Sequence, residues 1–356
     1  MTFVFAVPGS LDTPTGGYAY ARRVIAELER RGVTVEVIDL GEGFPRPAEN
    51  LRIAALERIA ALPPDHPVVV DGLAFGVLPD LPARARRHRI IGLVHHPLAL
   101  ETGLSAAAAA AFKASERAAL AGACHVIATS THTARLLADD YAVAATRMTV
   151  APPGTDRVSP ARGSPDGVPA LIAVGSLVPR KGYDVLVAAL AKVADLPWRL
   201  TIVGDPGRDP KTAAAIAADI AQAGLSQRIT LAGAVSAERL DALYRASDLF
   251  VLASHFEGYG MAYTEAIAYG LPVVGTKAGA IPDTVGACAL LIDAGDVSGL
   301  ALALRSLLSN PALRAQLTGR AREMAARLPT WENTADLFAG AVASVAATAA
   351  STSGLS

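Results

Sequence analysis

Two carboxylates, Glu257 and Glu265, flank a loop carrying Gly258 and Gly260 in the stretch from His255 to Thr276. The apolar run before it, Leu249 to Ala253, reads as a buried strand, and the glycines free the backbone for a tight loop. A helix is expected from about Met261 to Tyr269, stopped by Gly270 and Pro272, before Pro272-Val273-Val274-Gly275 opens another strand. Strand, glycine loop, short helix and strand form an α/β layout with a pocket at the strand's C-terminal end. Backbone N–H groups of Gly260 and Met261 point out of the helix start, where the dipole favours an anion. Carboxylates beside an anion site make sense if they bind hydroxyls, and a sugar nucleotide offers hydroxyls at both ends with a diphosphate between. Spacing alone leaves another reading open: Glu257 as a solvated loop acid and Glu265 as a favourable charge near the helix start.

The order Glu257-Gly258-Tyr259-Gly260, then Glu265, Ala266, Gly270, Leu271, Pro272, Val273 and Val274, closely resembles the E-x7-E signature of the family 4 retaining glycosyltransferases. The resemblance implies that Glu257 contacts hydroxyls of a donor sugar and that Glu265 holds the ribose hydroxyls of its nucleotide. Gly258, Tyr259, Gly260 and Met261 would line the same donor site.

A second loop, Val174 to Gly182, places Arg180 and Lys181 after another expected strand. Guanidinium and ammonium groups both pair with phosphate oxygens, so cations in a glycine-containing strand-to-helix loop suit phosphate binding. They suit a solvated surface loop as well. In the family this loop supplies an Arg and a Lys that clamp the diphosphate, and Lys181 matches the Lys. The Arg position, directly after Gly175, is Ser176. Arg180 is expected to swing in as the substitute; the alternative is weaker donor binding and leaving-group stabilisation.

Three further pieces gain meaning from the resemblance. Thr15-Gly16-Gly17 lies in the first loop, Pro8 to Gly17, and is similar to the family's N-terminal glycine pair, which lets backbone approach the diphosphate and sugar. His95, followed by His96 and Pro97, ends a strand and matches a family His that contacts the sugar near the reaction centre; on residue type alone a core His is an equal reading. Gly279-Ala280-Ile281-Pro282-Asp283 resembles a family loop that closes the floor of the donor site. Arg84, Arg86, Arg87, His88 and Arg89 form a basic run that could touch anionic lipid, but a solvated loop is the preferred reading. His125 and His132 lack acidic companions, so no metal site is expected there.

The elements that must position these residues repeat. Phe3–Val7, a helix over Tyr18–Arg31 and Val33–Leu40 read as a βαβ opening, followed by strands at Val68–Val70, Ile90–Val94, Val126–Ala128 and Met148–Val150. Helices are expected over Glu49–Ala61, Ser105–Ala121 and Ala134–Asp140. Residues 151–169 have a Pro-, Gly- and Ser-rich linker composition. The architecture then restarts: strand Ala170–Val174, helix Tyr183–Ala194, strands Trp198–Val203, Ile229–Leu231, Leu249–Leu252, Val273–Gly275 and Ala289–Ile292. Helical Ser298–Arg327, broken at Asn310-Pro311, and Trp331–Ala347 close the chain, with a frayed tail.

At 356 residues with 52% hydrophobic and 18% charged residues, the chain can fill two cores and is not disordered. A formal net charge of -1 gives no reason to expect nucleic acid as a partner. Two distant cysteines, Cys124 and Cys288, no evident signal peptide and no spanning apolar run fit a reduced, cytoplasmic protein.

The resemblance covers nearly the whole chain, most strongly from Ala170 to Pro282, and implies the GT-B fold: two Rossmann-like α/β domains with parallel sheets facing each other across a cleft. Residues 1–155 would form the acceptor side, 156–330 the nucleotide-sugar side, and 331–356 a helix returning to the first domain plus the frayed tail. The implied activity is retaining transfer of a hexose from a nucleoside-diphosphate sugar, UDP first and GDP next, to an acceptor hydroxyl, without metal or other cofactor. The acceptor, whether small metabolite, lipid or glycan, has no signature. Two rivals are a sugar-nucleotide 2-epimerase of the same fold and a non-catalytic donor-binding homologue, the latter motivated by Ser176.

Overall fold

A computed structural model of the chain describes residues 1–63 and 66–353. The last helix runs from Trp331 to Ser353, six residues beyond the Ala347 at which fraying was expected to begin, and the rest of that tail, 354–356, lies outside the described residues. The chain divides into two compact units. One comprises Met1–Gly154 with Pro329–Ser356, the other Thr155–Leu328.

The first unit is built on β1 (Thr2–Val7), β2 (Thr34–Asp39), β3 (Pro67–Asp71), β4 (Arg89–Val94), β5 (His125–Ala128) and β6 (Met148–Val150). They form one parallel sheet in the order β2-β1-β3-β4-β5-β6. Helices cover both faces of such a sheet, so its inner strands are continuous apolar runs. Val68, Val69 and Val70 of β3 are fully buried. The order reverses beside β1: the chain goes first to β2 on one side, then to β3 on the other. Loops at the C-terminal ends of β1 and β3 therefore diverge, the place where such sheets bind ligands.

The second unit repeats the plan with β7 (Ala170–Val174), β8 (Arg199–Val203), β9 (Ile229–Gly233), β10 (Leu249–Val251), β11 (Val273–Thr276) and β12 (Ala289–Ile292). All pair parallel in the order β12-β11-β10-β7-β8-β9. The reversal here lies between β7 and β10, paired through Leu249 with Leu171 and Phe250 with Ile172.

The last helix belongs to the first unit, as the fold resemblance implies. Phe338 is fully buried and stacks on Phe5 at 5.9 Å with 6° between ring planes. Arg23 lies 5.0 Å over the Trp331 ring, and Thr334 donates to Pro152 O at 2.7 Å.

Two expectations need correction, and two helices were not anticipated. The first helix starts at Gly16, not after Gly17, so Gly16 and Gly17 form its first turn rather than the end of a loop. Segment 155–169 is not a free linker: Ala161 N donates to Tyr269 O, Arg162 N to Arg245 O, and Ser164 N to the Asp248 carboxylate. Those bonds hold the middle of the segment in place, which proline- and glycine-rich composition cannot reveal. Helices Pro210–Gln222 and Ala237–Arg245 fill stretches that lacked an assignment, each started by a capping side chain: Asp209 accepts from Thr212 N and Ser236 from Arg239 N.

Candidate functional site

In the second unit, the loops after β7 and β10 bring Arg180, Lys181 and Glu257 together. The β7 loop ends in a short 3-10 turn, Pro179–Lys181, and then Gly182 at φ 63°. That left-handed backbone and the nearness of Ala253 O, which a Cβ would overlap, both demand glycine. The turn thus sits directly on the end of the β10 segment. His255 N donates to Arg180 O at 2.8 Å, pinning the two loops.

Glu257 is 5% exposed and takes three side-chain hydrogen bonds. Lys181 Nζ and Ser254 Oγ each donate to Oε1 at 2.7 Å, and Arg180 Nη1 donates to Oε2 at 3.2 Å. Arg180 Nη1 also donates to Phe256 O at 2.8 Å. Burial pushes the Glu257 carboxyl up, but the Lys181 and Arg180 charges, with the Lys181 and Ser254 hydrogen bonds, outweigh it and hold the group at about 2. Glu257 is therefore a buried, ionised carboxylate, which excludes the solvated-acid reading.

The backbone around Glu257 is buttressed from the β11 side. Ala280 N donates to Glu257 O at 2.9 Å, and Thr284 Oγ1 to Tyr259 O at 2.7 Å. A Cβ at Gly279 would overlap Glu257 O. The 279–283 loop thus fixes the position of Glu257 through its own backbone. Gly258 is buried beside it, and Gly260 at φ 95° caps the helix Met261–Ala268. Ser176 is half-buried in the β7 loop, and the stem of Lys181 packs over Gly175, whose added Cβ would meet Lys181 Cε at 3.0 Å.

Glu265 sits half-buried on that helix, and Tyr244 OH donates to its Oε2 at 3.1 Å. Tyr244 stacks in turn on Tyr269.

In the first unit, the first turn of the helix Gly16–Arg30, the end of β3 and the residue after β4 bring together Gly17, Asp71 and His95. The His95 Nε2 lies 3.4 Å from Asp71 Oδ2, and Asp71, 4% exposed, is held by Leu73 N donating to Oδ1 at 2.9 Å. Tyr20 meets the His95 ring edge-on at 5.4 Å, with its OH donating to Ala151 O. A Cβ on Gly17 would lie 3.4 Å from His95 Nε2, so the glycine leaves the ring room. Thr129 and Thr133 hydroxyls donate to His95 O at 3.2 and 3.3 Å. His96 Nε2 lies 3.4 Å from Glu101 Oε2.

Sequence reading missed Ser254, Asp71 and Tyr244. Ser254 had a visible signal, a lone hydroxyl ending a fully apolar strand three residues before Glu257. Tyr244 could have been found through the Ser236 cap and the i, i+3, i+4 spacing of Leu240, Leu243 and Tyr244. The basic run is not one surface: Arg84, Arg86 and Arg87 are exposed, whereas His88 is buried with Nε2 3.0 Å from Leu62 O. Among the described residues no group of three or more His, Cys, Asp or Glu could hold a metal ion, and no helix is long and apolar enough to cross a membrane.

Comparison with known proteins agrees with this layout. The sequence profile described as "Glycosyl transferases group 1" matches residues 155–324. A D-inositol 3-phosphate glycosyltransferase of Rhodococcus erythropolis is 31% identical over 270 residues, 69% of this chain and 61% of that protein. The MMP alpha-(1->4)-mannosyltransferase of Mycolicibacterium hassiacum is 27% identical over 329 residues, 86% of this chain and 78% of that protein. The chain spans 61%, 50% and 60% of the length of three inositol-phosphate relatives it matches, from R. erythropolis, Acidothermus cellulolyticus and Rhodococcus opacus. Among solved structures, sucrose-phosphate synthase from Thermosynechococcus elongatus superposes with a TM-score of 0.81 at 22% identity, covering 97% of this chain and 100% of that one. HepE of Anabaena, solved in complex with UDP, gives 0.71 at 19% identity over 97% and 100% of the two chains. Residues 155–324 match the group 1 glycosyltransferases, and the chain as a whole has the fold of the GT-B glycosyltransferases.

Proposed function

We propose that the protein transfers a hexose from a nucleoside-diphosphate sugar to an acceptor hydroxyl with retention of anomeric configuration, and that residues 155–328 bind the donor. The observation that carries this reading is the buried Glu257 carboxylate held between Lys181 and Arg180 where the strand order of the second sheet reverses. One carboxylate and two cations leave a net positive charge in a site largely shielded from water. Such a site favours the diphosphate of a donor and stabilises the charge that grows as it leaves.

The roles divide as follows. Lys181 pairs with the diphosphate, aided by Ser176 and the backbone amides at Gly260 and Met261. Arg180 does not act as a free substitute for the arginine missing at Ser176: its guanidinium ties Phe256 O and Glu257, so it holds the Glu257 loop and adds charge from a fixed position. Glu257, kept ionised, accepts from donor-sugar hydroxyls, and Glu265 accepts from the ribose. Gly16 and Gly17 give backbone close access on the first unit, and His95 serves the sugar-transfer step. In a retaining displacement the acceptor attacks the face from which the diphosphate departs, and a donor phosphate oxygen takes the acceptor proton. Cationic side chains carry the charge-neutralising work, so no metal is required. UDP is the preferred nucleotide because HepE, of the same fold, was solved with UDP and with UDP-glucose. The inositol-phosphate and mannosyl relatives make a small phosphorylated polyol or a sugar the first acceptors to try.

The test is a transfer assay with UDP-glucose and GDP-mannose against D-inositol 3-phosphate and simple hexosides, with product anomers read by NMR. An α-linked product from an α-linked donor supports the reading. An inverted anomer contradicts retention. Epimerised nucleotide without acceptor favours the epimerase rival, and donor binding without turnover favours the non-catalytic one.

A further inference from the structure

The His95 ring is held from several sides by groups of its own unit. Tyr20 meets it edge-on at 5.4 Å, and Gly17 backs Nε2 so closely that a Cβ there would lie 3.4 Å away. Nε2 is enclosed, and the polar atom facing it is Asp71 Oδ2 at 3.4 Å. That is long for an N–H···O bond, as the bonds of an unliganded site commonly are before a substrate tightens them. The side chain is 21% exposed, so its open edge lies away from Nε2, and no group among the described residues bonds Nδ1.

Asp71 ends β3 and is 4% exposed, and its two oxygens have different neighbours. Oδ1 accepts from Leu73 N at 2.9 Å, capping the short helical turn Gly72–Phe75. Capping accounts for Oδ1 but not for a second oxygen turned toward an enclosed imidazole nitrogen. A carboxylate only accepts. A neutral imidazole beside it gains by carrying its proton on Nε2, and the lone pair then falls on Nδ1 at the open edge.

We propose that Asp71 is a positioning residue that fixes the Nε2–H tautomer of His95, so that Nδ1 offers a lone pair to a hydroxyl of the sugar undergoing transfer. This rests on the assignment of His95 to the transfer step, and adds which nitrogen meets the substrate and what holds it there. A hydroxyl can donate to a bare Nδ1, whereas an ionised phosphate oxygen cannot.

The test uses Asp71→Asn. Asn caps a helix start as well as Asp does, so its oxygen stays with Leu73 N and the turn is kept. Its NH2 then faces Nε2 and donates, which drives the imidazole proton to Nδ1. Side-chain 15N NMR at about pH 9, where imidazoles are neutral, reads the tautomer directly, and His95→Ala identifies the signals. Wild type is expected as Nε2–H and Asp71→Asn as Nδ1–H. Nδ1–H in wild type, or one tautomer in both proteins, overturns the positioning role. Should Asp71→Asn melt far below wild type, Asp71→Ser keeps a capping hydroxyl without the second oxygen. Loss of the Nε2–H preference is then expected, and its retention overturns the role.

Turnover gives the second readout. Asp71→Asn is expected to lower kcat about 10- to 100-fold, as His95→Ala does, with the donor KM within about twofold. Adding Asp71→Asn to His95→Ala should cost nothing further, since both act through one ring. Full turnover with the tautomer exchanged overturns the service of Nδ1 to the hydroxyl. Wild-type turnover in His95→Ala would show instead that the assignment of His95 to transfer is wrong, whatever the tautomers are.

Discussion

Lys181 Nζ donates to Glu257 Oε1 at 2.7 Å, a bond that joins the loops following β7 and β10 at the reversal of the second sheet. Side chains on both sides are nearly enclosed, 14% exposed for Lys181 and 7% for Glu257. A carboxylate so placed would be neutral on its own. The two cations keep it ionised, and their strength makes the cluster a single electrostatic unit.

Removing the charge of Glu257 should therefore cost stability as well as activity. Glu257→Gln leaves Lys181 and Arg180 without their counter-ion, an expected loss of about 3–5 kcal/mol at neutral pH. Because the folded carboxyl titrates at about 2, below its ordinary 4.5, its stabilisation is present above pH 4.5 and lost as pH falls through 2. Melting curves of the two proteins should converge across that window. A constant difference from pH 7 to pH 2 would show that the ion cluster is not the cause.

Glu116 behaves in the opposite sense. Its carboxyl is 1% exposed, accepts from Leu98 N at 3.1 Å and bonds Tyr141, yet burial raises it to about 8. A raised acid adds stability in full below its unfolded value of about 4.5 and loses it as pH rises through 8. Wild type should thus lose stability relative to Glu116→Gln between pH 5 and 8, by on the order of a few kcal/mol. The comparison is made by denaturant titration at several pH values, and a flat difference would count against a protonated Glu116.

His95 is expected to act in transfer and not in nucleotide affinity. His95→Ala should lower turnover about 10- to 100-fold, the range for losing one oriented hydrogen bond in a shielded site. Its Kd for the nucleoside diphosphate should stay within about twofold, the scatter expected for a site left intact. A large change in nucleotide affinity would move His95 from the transfer step to donor binding.

The last helix should be integral to the first unit. Phe338→Ala removes a fully buried ring stacked on Phe5 and is expected to cost about 3–5 kcal/mol. Protease digestion should then attack the β1 side of the first unit before the second. Equal resistance to wild type would place that helix outside the core.

Much of this organisation was legible because periodicity and glycine breaks are local properties. The restart after residue 169, the buried strand before Glu257 and the cation loop at Arg180-Lys181 all show in sequence order. Partner choice is not local. That Arg180 holds Phe256 O and Glu257, rather than standing free in place of the missing arginine, depends on two loops 76 residues apart in sequence meeting at a strand reversal. Asp71 and Tyr244 escaped notice for the same reason, since each matters through tertiary contacts, Asp71 with His95 and Tyr244 with Glu265 and Tyr269. Residues 155–169 misled in the other direction: composition implied a loose tether, but backbone bonds to Tyr269, Arg245 and Asp248 hold the segment down.

The central claim is that the Lys181–Glu257 cluster and Glu265 form the site for a donor nucleotide. Calorimetric titration of UDP, GDP and ADP into wild type, Lys181→Met and Glu265→Ala tests it most directly. The account predicts micromolar binding of one diphosphate, weakened by about 1–3 kcal/mol in each variant as a charged or hydroxyl partner is lost. Wild-type binding of none of the three, or binding that neither variant weakens, would contradict it.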